Sequence, residues 1–222
     1  MGIKQNLSAF LQTIPETVQL VAVSKTKPIE DIQLAFDAGQ RVFGENKVQD
    51  LIAKAPELTD EIDWHFIGHM QTNKVKFIAP FVKMIHAVES LKLLKETNKQ
   101  AKKNDRIIDC LLQFHIAQET TKFGLNLEEA EDILNNNELI NLKNIRIVGV
   151  MGMATYTNDY DQIRSEFKHL AEYMRILKKK FFVNESWFKE VSMGMSGDYK
   201  IAIEEGSTMI RIGTKIFGER NY

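Results

Sequence analysis

Eight short runs rich in β-branched and aromatic residues alternate along the chain with amphipathic stretches of helical period. Strands are expected over 19–25, 41–46, 63–68, 84–90, 107–115, 145–153, 188–194 and 209–217. The helices between them are expected over 29–38, 48–55, 73–78, 91–103, 127–134, 160–180 and 199–204, and a further helix near 3–11 opens the chain. Nearly continuous apolar strands, each separated from the next by a helix, imply a parallel sheet covered on its outer face, and eight is the number that closes a (β/α)8 barrel. A doubly wound open sheet is the alternative that a strand count leaves open. No Pro-, Gly- or Ser-rich linker and no break in composition interrupts the pattern, so residues 1–222 read as one α/β domain, a TIM barrel with an extra N-terminal helix. The punctuation agrees: Pro28 stands at the start of a helix and Gly39 just past its end, and the Lys178-Lys179-Lys180 run closes a long helix at the dipole's negative end.

Charge narrows the partners. Lys and Arg number 29 against 30 Asp and Glu, a formal net charge of −1, so no whole-molecule field draws the chain to nucleic acid or anionic membrane. The basic runs at Lys102-Lys103 and Lys178–Lys180 read as solvated helix faces. Cys110 is the only cysteine, which leaves no internal disulfide, fits a reducing compartment and, inside the run Ile107–Leu112, reads as a buried inert thiol. The first residues lack the apolar core of a signal peptide and no apolar stretch approaches the span of a bilayer, so a soluble cytoplasmic protein is expected.

In a parallel barrel the chemistry lies at the C-terminal ends of the strands, and phosphate favours the loops after the seventh and eighth. Polar residues and glycines cluster at those ends: Ser24-Lys25, Glu45-Asn46, Gly68-His69, Glu89-Ser90, His115, Met151–Met153, Met193–Ser196 and Gly213-Thr214. Lys25 ends the run Leu20-Val21-Ala22-Val23. Apolar flanks disfavour the charged amine, and a neutral amine is what imine formation with an aldehyde requires. Taken alone, the residue reads as a lysine that snorkels to a barrel rim. After strand seven, Ser196 and Gly197 precede a helical segment; after strand eight come Gly213 and Thr214, again a bare backbone beside a hydroxyl. Glycine lets amides approach an anion, although Ser-Gly-Asp is also an ordinary N-cap. Alternation puts Arg211 and Gly213 on one face and Ile212 on the other, and an arginine pointing into a barrel mouth is costly unless it meets a partner.

Other motifs fail their own spacing. Gly149-Val150-Met151-Gly152-Met153 lacks the third glycine of a dinucleotide fingerprint, and Gly194-Met195-Ser196-Gly197 is one residue short of a nucleophile elbow. His65 and His69 are four apart, but across a strand-to-loop segment with no glutamate between them on a helix face, so no metal site is assigned. The methionines near the strand ends read as fillers of irregular core space.

These residues together resemble a known family. Val21-Ala22-Val23-Ser24-Lys25-Thr26-Lys27-Pro28, Gly44-Glu45-Asn46, Trp64–Gly68, Gln71-Thr72-Asn73-Lys74, Lys122-Phe123-Gly124, Ser192–Asp198 and Gly206–Gly218 run in order like the signatures of the pyridoxal phosphate homeostasis proteins, single-barrel relatives of the alanine racemase N-terminal barrel. The resemblance implies pyridoxal 5′-phosphate (PLP) held as an internal aldimine on Lys25, with Ser196, Gly213 and Thr214 on its phosphate, Arg211 facing the pyridine nitrogen and Asn46 close to the ring. An arginine there disfavours protonation of that nitrogen, which makes the cofactor a weaker electron sink than a carboxylate would.

The racemase relatives carry a further C-terminal β domain that brings a catalytic tyrosine. This chain stops at Tyr222, and two-sided proton transfer needs a base on each face of the substrate carbon. No catalytic residue is therefore assigned, and the expectation is a monomeric PLP carrier that hands its cofactor to PLP-dependent apo-enzymes, with little or no turnover. Two alternatives remain: a PLP-dependent amino-acid racemase using a spare rim group such as His69, His115 or Tyr156, and a barrel enzyme whose Lys25 forms a Schiff base with another phosphorylated metabolite. Lys47 and His69-Met70 depart from the family pattern at the rim, and Lys27 and Lys74 read as solvated lysines rather than secondary PLP sites.

Overall fold

The computed structural model describes residues 2–119 and 123–219. Eight parallel strands close on themselves in sequence order: β1 (Gln19–Val23), β2 (Val42–Glu45), β3 (Asp63–Phe66), β4 (Val82–Val88), β5 (Ile108–Phe114), β6 (Ile145–Gly152), β7 (Glu190–Ser192) and β8 (Met209–Ile212). Closure is direct. β1 pairs with β2 through Ala22↔Phe43 and with β8 through Gln19↔Met209 to Ala22↔Ile212, which sets aside the open sheet.

Helices α1 (Ile3–Leu11), α2 (Ile29–Asp37), α3 (Val48–Lys54), α4 (Val75–Ile78), α5 (Leu91–Lys103), α6 (Leu127–Asn135), α7 (Tyr160–Phe181), α8 (Tyr199–Glu204) and α9 (Thr214–Phe217) surround the strands. Their ends follow local chemistry. The Ser90 hydroxyl accepts from Leu93 N at 3.2 Å to open α5, Asn126 and Glu129 form a reciprocal capping box on α6, and Gly39 follows α2 at φ +102°. Lys178–Lys180 lie in the last turn of α7.

α9 departs from the sequence expectation, which continues the eighth strand to residue 217. Residues 214–217 continue the β-like run Met-Ile-Arg-Ile, but the chain leaves β8 after Ile212 and coils as α9, with Ile216 N and Phe217 N both donating to Gly213 O. The other expected strands likewise overrun: β1 stops at Val23 and β7 at Ser192, and the residues that follow belong to loops.

Alternation divides the strand residues into two apolar populations. Ala22, Phe43, Phe66, Ile85, Leu112, Phe114, Val150, Ile210 and Ile212 face the helices in one large buried layer. Val21, Val42, Met84, Ala87, Leu111, Val148, Met151 and Met209 form a smaller interior cluster, with Met153 against it. Cys110 is fully buried in the outer layer, and burial pushes its thiol pKa up. Among the described residues, no helix is long and apolar enough to cross a membrane. α1 packs against α9 and donates from Asn6 Nδ2 to Ile216 O at 3.1 Å, so the N-terminal helix steadies the turn that carries Thr214.

Candidate functional site

A cavity of about 930 Å³ opens at the C-terminal ends of the strands, where the barrel rule puts the chemistry. Lys25, Asn46, Ser196, Arg211, Gly213 and Thr214, the residues singled out from the sequence, all line it.

Lys25 sits in the turn that directly follows β1. Lys27 N donates to Ser24 O at 3.0 Å, which makes Lys25 and Thr26 the two central residues of a tight turn. Thr26 has φ +65°, a value that such a turn ordinarily reserves for glycine and that strains a β-branched residue. Behind the turn lies a buried brace. Ser24 Oγ donates to Glu45 Oε1 at 2.7 Å, and Lys54 Nζ donates to the same oxygen at 2.8 Å and to Ser24 O at 3.0 Å. Ser24 and Glu45, polar strand-end residues in the sequence, therefore do not join the cavity lining but tie the end of β1 to the end of β2 from outside. Burial raises the Glu45 pKa, opposed by the bonds from Lys54 and Ser24. Asn46 turns inward next to Gly68, where a Cβ would stand 2.2 Å from Asn46 O, so only glycine lets these two strand ends meet.

After β7, Gly194 (φ +95°) turns the chain into a loop closed by Asp198 Oδ1, which accepts from Met195 N at 2.5 Å. Ser196 and Gly197 form the tip of that loop and Gly213 and Thr214 the neighbouring turn, so two hydroxyls and two bare backbone segments face the same space.

Arg211 closes the inner wall and is 4% exposed. Its Nη1 donates to Ser192 Oγ at 2.6 Å and Ser192 O at 2.8 Å, and Nη2 donates to Gly152 O at 3.0 Å. These are the partners that the cost of burying a guanidinium demands. Burial lowers its pKa to about 10 while Asp198 acts in the opposite sense, so the group stays charged at neutral pH. Ser192 in turn meets His86 Nδ1 at 3.0 Å, and His86 Nε2 meets His65 Nδ1 at 3.0 Å. Burial drives His65 down to about 3, with Lys83 adding to it, and takes His86 well below its usual range. Both rings are neutral.

The remaining wall was not singled out by sequence as a set: Gln113, Phe123, Met153, Thr155 and Tyr160 line the cavity with Tyr156, which is 98% exposed. Gln113 stands on β5 and Tyr160 opens α7; the others lie in the loops after β5 and β6, where residues carry no periodic signal. Met195 lines the cavity rather than filling core space, and Met153 lines it while also packing on the interior cluster. His115 does not line the cavity; its Nε2 meets Glu119 O at 2.8 Å. His69 does line it, stacked on Phe123 at 4.4 Å and paired with Glu89 Oε1 at 3.1 Å. Lys27 is no free surface amine: its Nζ donates to Phe217 O at 2.9 Å and Glu219 O at 3.0 Å. Lys74 stands over the Phe77 ring. Lys122 lies outside the described residues.

A parallel barrel thus brings a lysine beyond β1, an arginine on β8 and hydroxyl-bearing turns after β7 and β8 to one mouth, a set of groups able to accept a small anionic ligand beside an amine. The chain belongs to the family described as alanine racemase, N-terminal domain, whose model matches residues 2–221. Within it, the chain is similar to several pyridoxal phosphate homeostasis proteins. The chain is 37% identical over 205 residues to the one from Aquifex aeolicus, covering 92% of this chain and 88% of the relative. It is 39% identical over 214 residues to the one from Vibrio alginolyticus, covering 94% and 89%. Among solved structures, PipY of Synechococcus elongatus matches at 33% identity over 97% of this chain and all of PipY, with TM-scores of 0.90 without PLP and 0.88 with PLP bound.

Proposed function

We propose that this chain holds PLP through the Lys25 amine and serves intracellular PLP homeostasis, with little or no turnover of its own. The observation that carries the reading is the convergence of an amine, a buried arginine and two hydroxyl-and-glycine turns on one cavity, each on a different strand end. The donor set fits the cofactor. Ser196, Gly213 and Thr214 would hold its phosphate with neutral donors, Asn46 would lie against the ring, and Arg211 would meet the pyridine nitrogen. Among the described residues, Asp198 is the one carboxylate lining that end, and its Oδ1 accepts from Met195 N. Of the Arg211 donors, Nε and one hydrogen of Nη2 have no partner among the described residues, which leaves them for a ligand. PLP would supply an aldehyde for the Lys25 amine to condense with and a conjugated ring; the chain supplies the amine, the anion cradle and a fixed positive charge.

The reading extends to a cytoplasmic monomer, with residues 1–222 acting as one unit that passes its cofactor to apo-enzymes. A lone buried cysteine suits a reducing compartment, and one chain contributes every group named above. The racemase alternative needs a base opposite Lys25, and of the three rim groups His69 and Tyr156 line the cavity while His115 does not. Following the chirality of each amino acid with PLP-loaded protein decides between them: turnover near the enzyme median of about 10 per second would overturn the carrier reading.

The test of the cofactor itself is the visible spectrum of purified protein with PLP, then borohydride reduction and peptide mapping. Colour lost in Lys25→Ala and a reduced label on Lys25 are expected; a label on another lysine, or none, overturns the assignment.

A further inference from the structure

We propose that His65, His86 and Ser192 form a positioning relay that fixes the Arg211 guanidinium and so keeps the pyridine nitrogen of bound PLP unprotonated. The proposal rests on the cofactor reading above.

The four residues come from β3, β4, β7 and β8 and meet across the barrel interior. His65, His86, Ser192 and Arg211 are 2%, 0%, 0% and 4% exposed, in a space otherwise lined by the apolar interior cluster. The links are Arg211 Nη1 to Ser192 Oγ at 2.6 Å, Ser192 Oγ to His86 Nδ1 at 3.0 Å and His86 Nε2 to His65 Nδ1 at 3.0 Å.

Their direction follows from proton inventory. A guanidinium can only donate, so Ser192 Oγ accepts from Arg211. The hydroxyl proton then goes to His86 Nδ1, which must be unprotonated; His86 carries its proton on Nε2 and gives it to His65 Nδ1. The opposite polarity would leave the Ser192 proton without an acceptor. Each link therefore dictates the next, and the chain ends on a charged donor rather than on a carboxylate. A neutral chain is also the only one compatible with a cation at its head, because an imidazolium in place of His86 would face Arg211 across a single hydroxyl.

Positioning follows from the shape of the guanidinium. It is rigid and planar, so holding Nη1 on Ser192 and Nη2 on Gly152 O sets where Nε and the second Nη2 hydrogen point. Those are the donors left to the cavity. Arg211 lines the cavity while His86 and His65 do not, so any influence of the histidines on a ligand there passes through Ser192 and Arg211. A cation held beside a pyridine nitrogen disfavours its protonation; one turned away from it does so less.

The experiment uses the full chain loaded with PLP carrying a 15N label in the ring, and reads the ring-nitrogen chemical shift across the neutral pH range. In the parent the shift should stay in the unprotonated range throughout. Ser192→Ala and His86→Leu should move it towards the protonated range and introduce a titration. His86→Gln, whose amide can accept from Ser192 and donate to His65, should restore the parent shift. Ser192→Ala removes one hydroxyl and keeps the test available should His86→Leu fold poorly. A parent-like shift in both Ser192→Ala and folded His86→Leu, with PLP still reduced onto Lys25, overturns the relay and leaves the histidines as core polar residues. A parent that takes up no PLP gives no bound ring signal, which overturns the cofactor reading and is distinguishable from the first failure.

Discussion

Between the strands and the helices, Phe43, Phe66, Phe114, Phe167 and Phe188 sit in a continuous apolar layer, each at most 1% exposed. Inside the same strands the apolar cluster is far smaller, and beside it stand His65, His86, Ser192 and Arg211, every one hydrogen-bonded. Removal from water stabilises the first region and is nearly indifferent to direction. The second region would be destabilising if it were merely buried, since each polar group there costs free energy until it finds its partner. The outer layer makes the barrel; the interior orients what the barrel presents to the cavity.

Removing packing from the outer layer alone breaks the comparison most forcefully. Phe167→Ala empties a fully buried site on α7 and should cost about 3–5 kcal/mol in urea unfolding. The folded fraction should keep the spectrum of bound cofactor unchanged. A changed spectrum with a small loss of stability would mean that the two regions are not separable in this way.

Acid separates them next. The folded His65 pKa of about 3 lies below the unfolded value near 6.5, so the unfolded state binds protons first as pH falls. The stability from this neutral ring is complete above pH ~6.5 and declines on the way down to the folded value, by about 2 kcal/mol at pH ~5 for one histidine. His86 shifts in the same direction for the same reason, burial first, then the charges of His65 and Arg211. Glu45 in the brace behind Lys25 runs the other way: its folded pKa is raised, so acidification through that range favours the folded state. Unfolding midpoints at pH 7 and pH 5 should therefore fall with acid in the parent and fall less in His65→Phe. Equal falls in both would remove the buried histidines as the cause.

Much of this was legible from the residues, and the illegible part follows the same division. The outer layer announces itself through periodicity, because every second strand residue must be apolar whatever lies opposite. Lys25, Arg211 and Gly213 could be placed for a related reason: a strand end and an alternation of two are local facts. His86 is different. A histidine inside Val82–Val88 has no spacing signal, and its partners are 21 residues before it and 106 after it, distances that only barrel closure brings together. Tyr156 and its neighbours line the cavity from loops, where residue type does not report direction. Ile-Phe after Met-Ile-Arg-Ile has β character, which is why the pattern predicts strand over 214–217, whereas the helical turn there comes from the chain bending at Gly213 rather than from propensity.

The smallest effect tests whether the mouth is held by shape more than by burial. Thr26 occupies φ +65° beside Lys25, in a turn closed by Lys27 N to Ser24 O, with the Ser24–Glu45–Lys54 brace immediately behind it. A β-branched residue there costs on the order of 1 kcal/mol that glycine does not, partly offset by the extra freedom glycine gives the unfolded chain. Thr26→Gly should thus leave stability equal or raise it by less than about 1 kcal/mol. The same substitution frees the backbone on one side of Lys25, so the yield of PLP reduced onto Lys25 at limiting cofactor should drop even as the unfolding midpoint holds or rises. A variant that loses both stability and labelling would show that the turn is not strained and that the threonine is needed for folding. Loss of labelling alone separates the two roles, because a side chain kept only for stability would not be traded against the reach of the neighbouring amine.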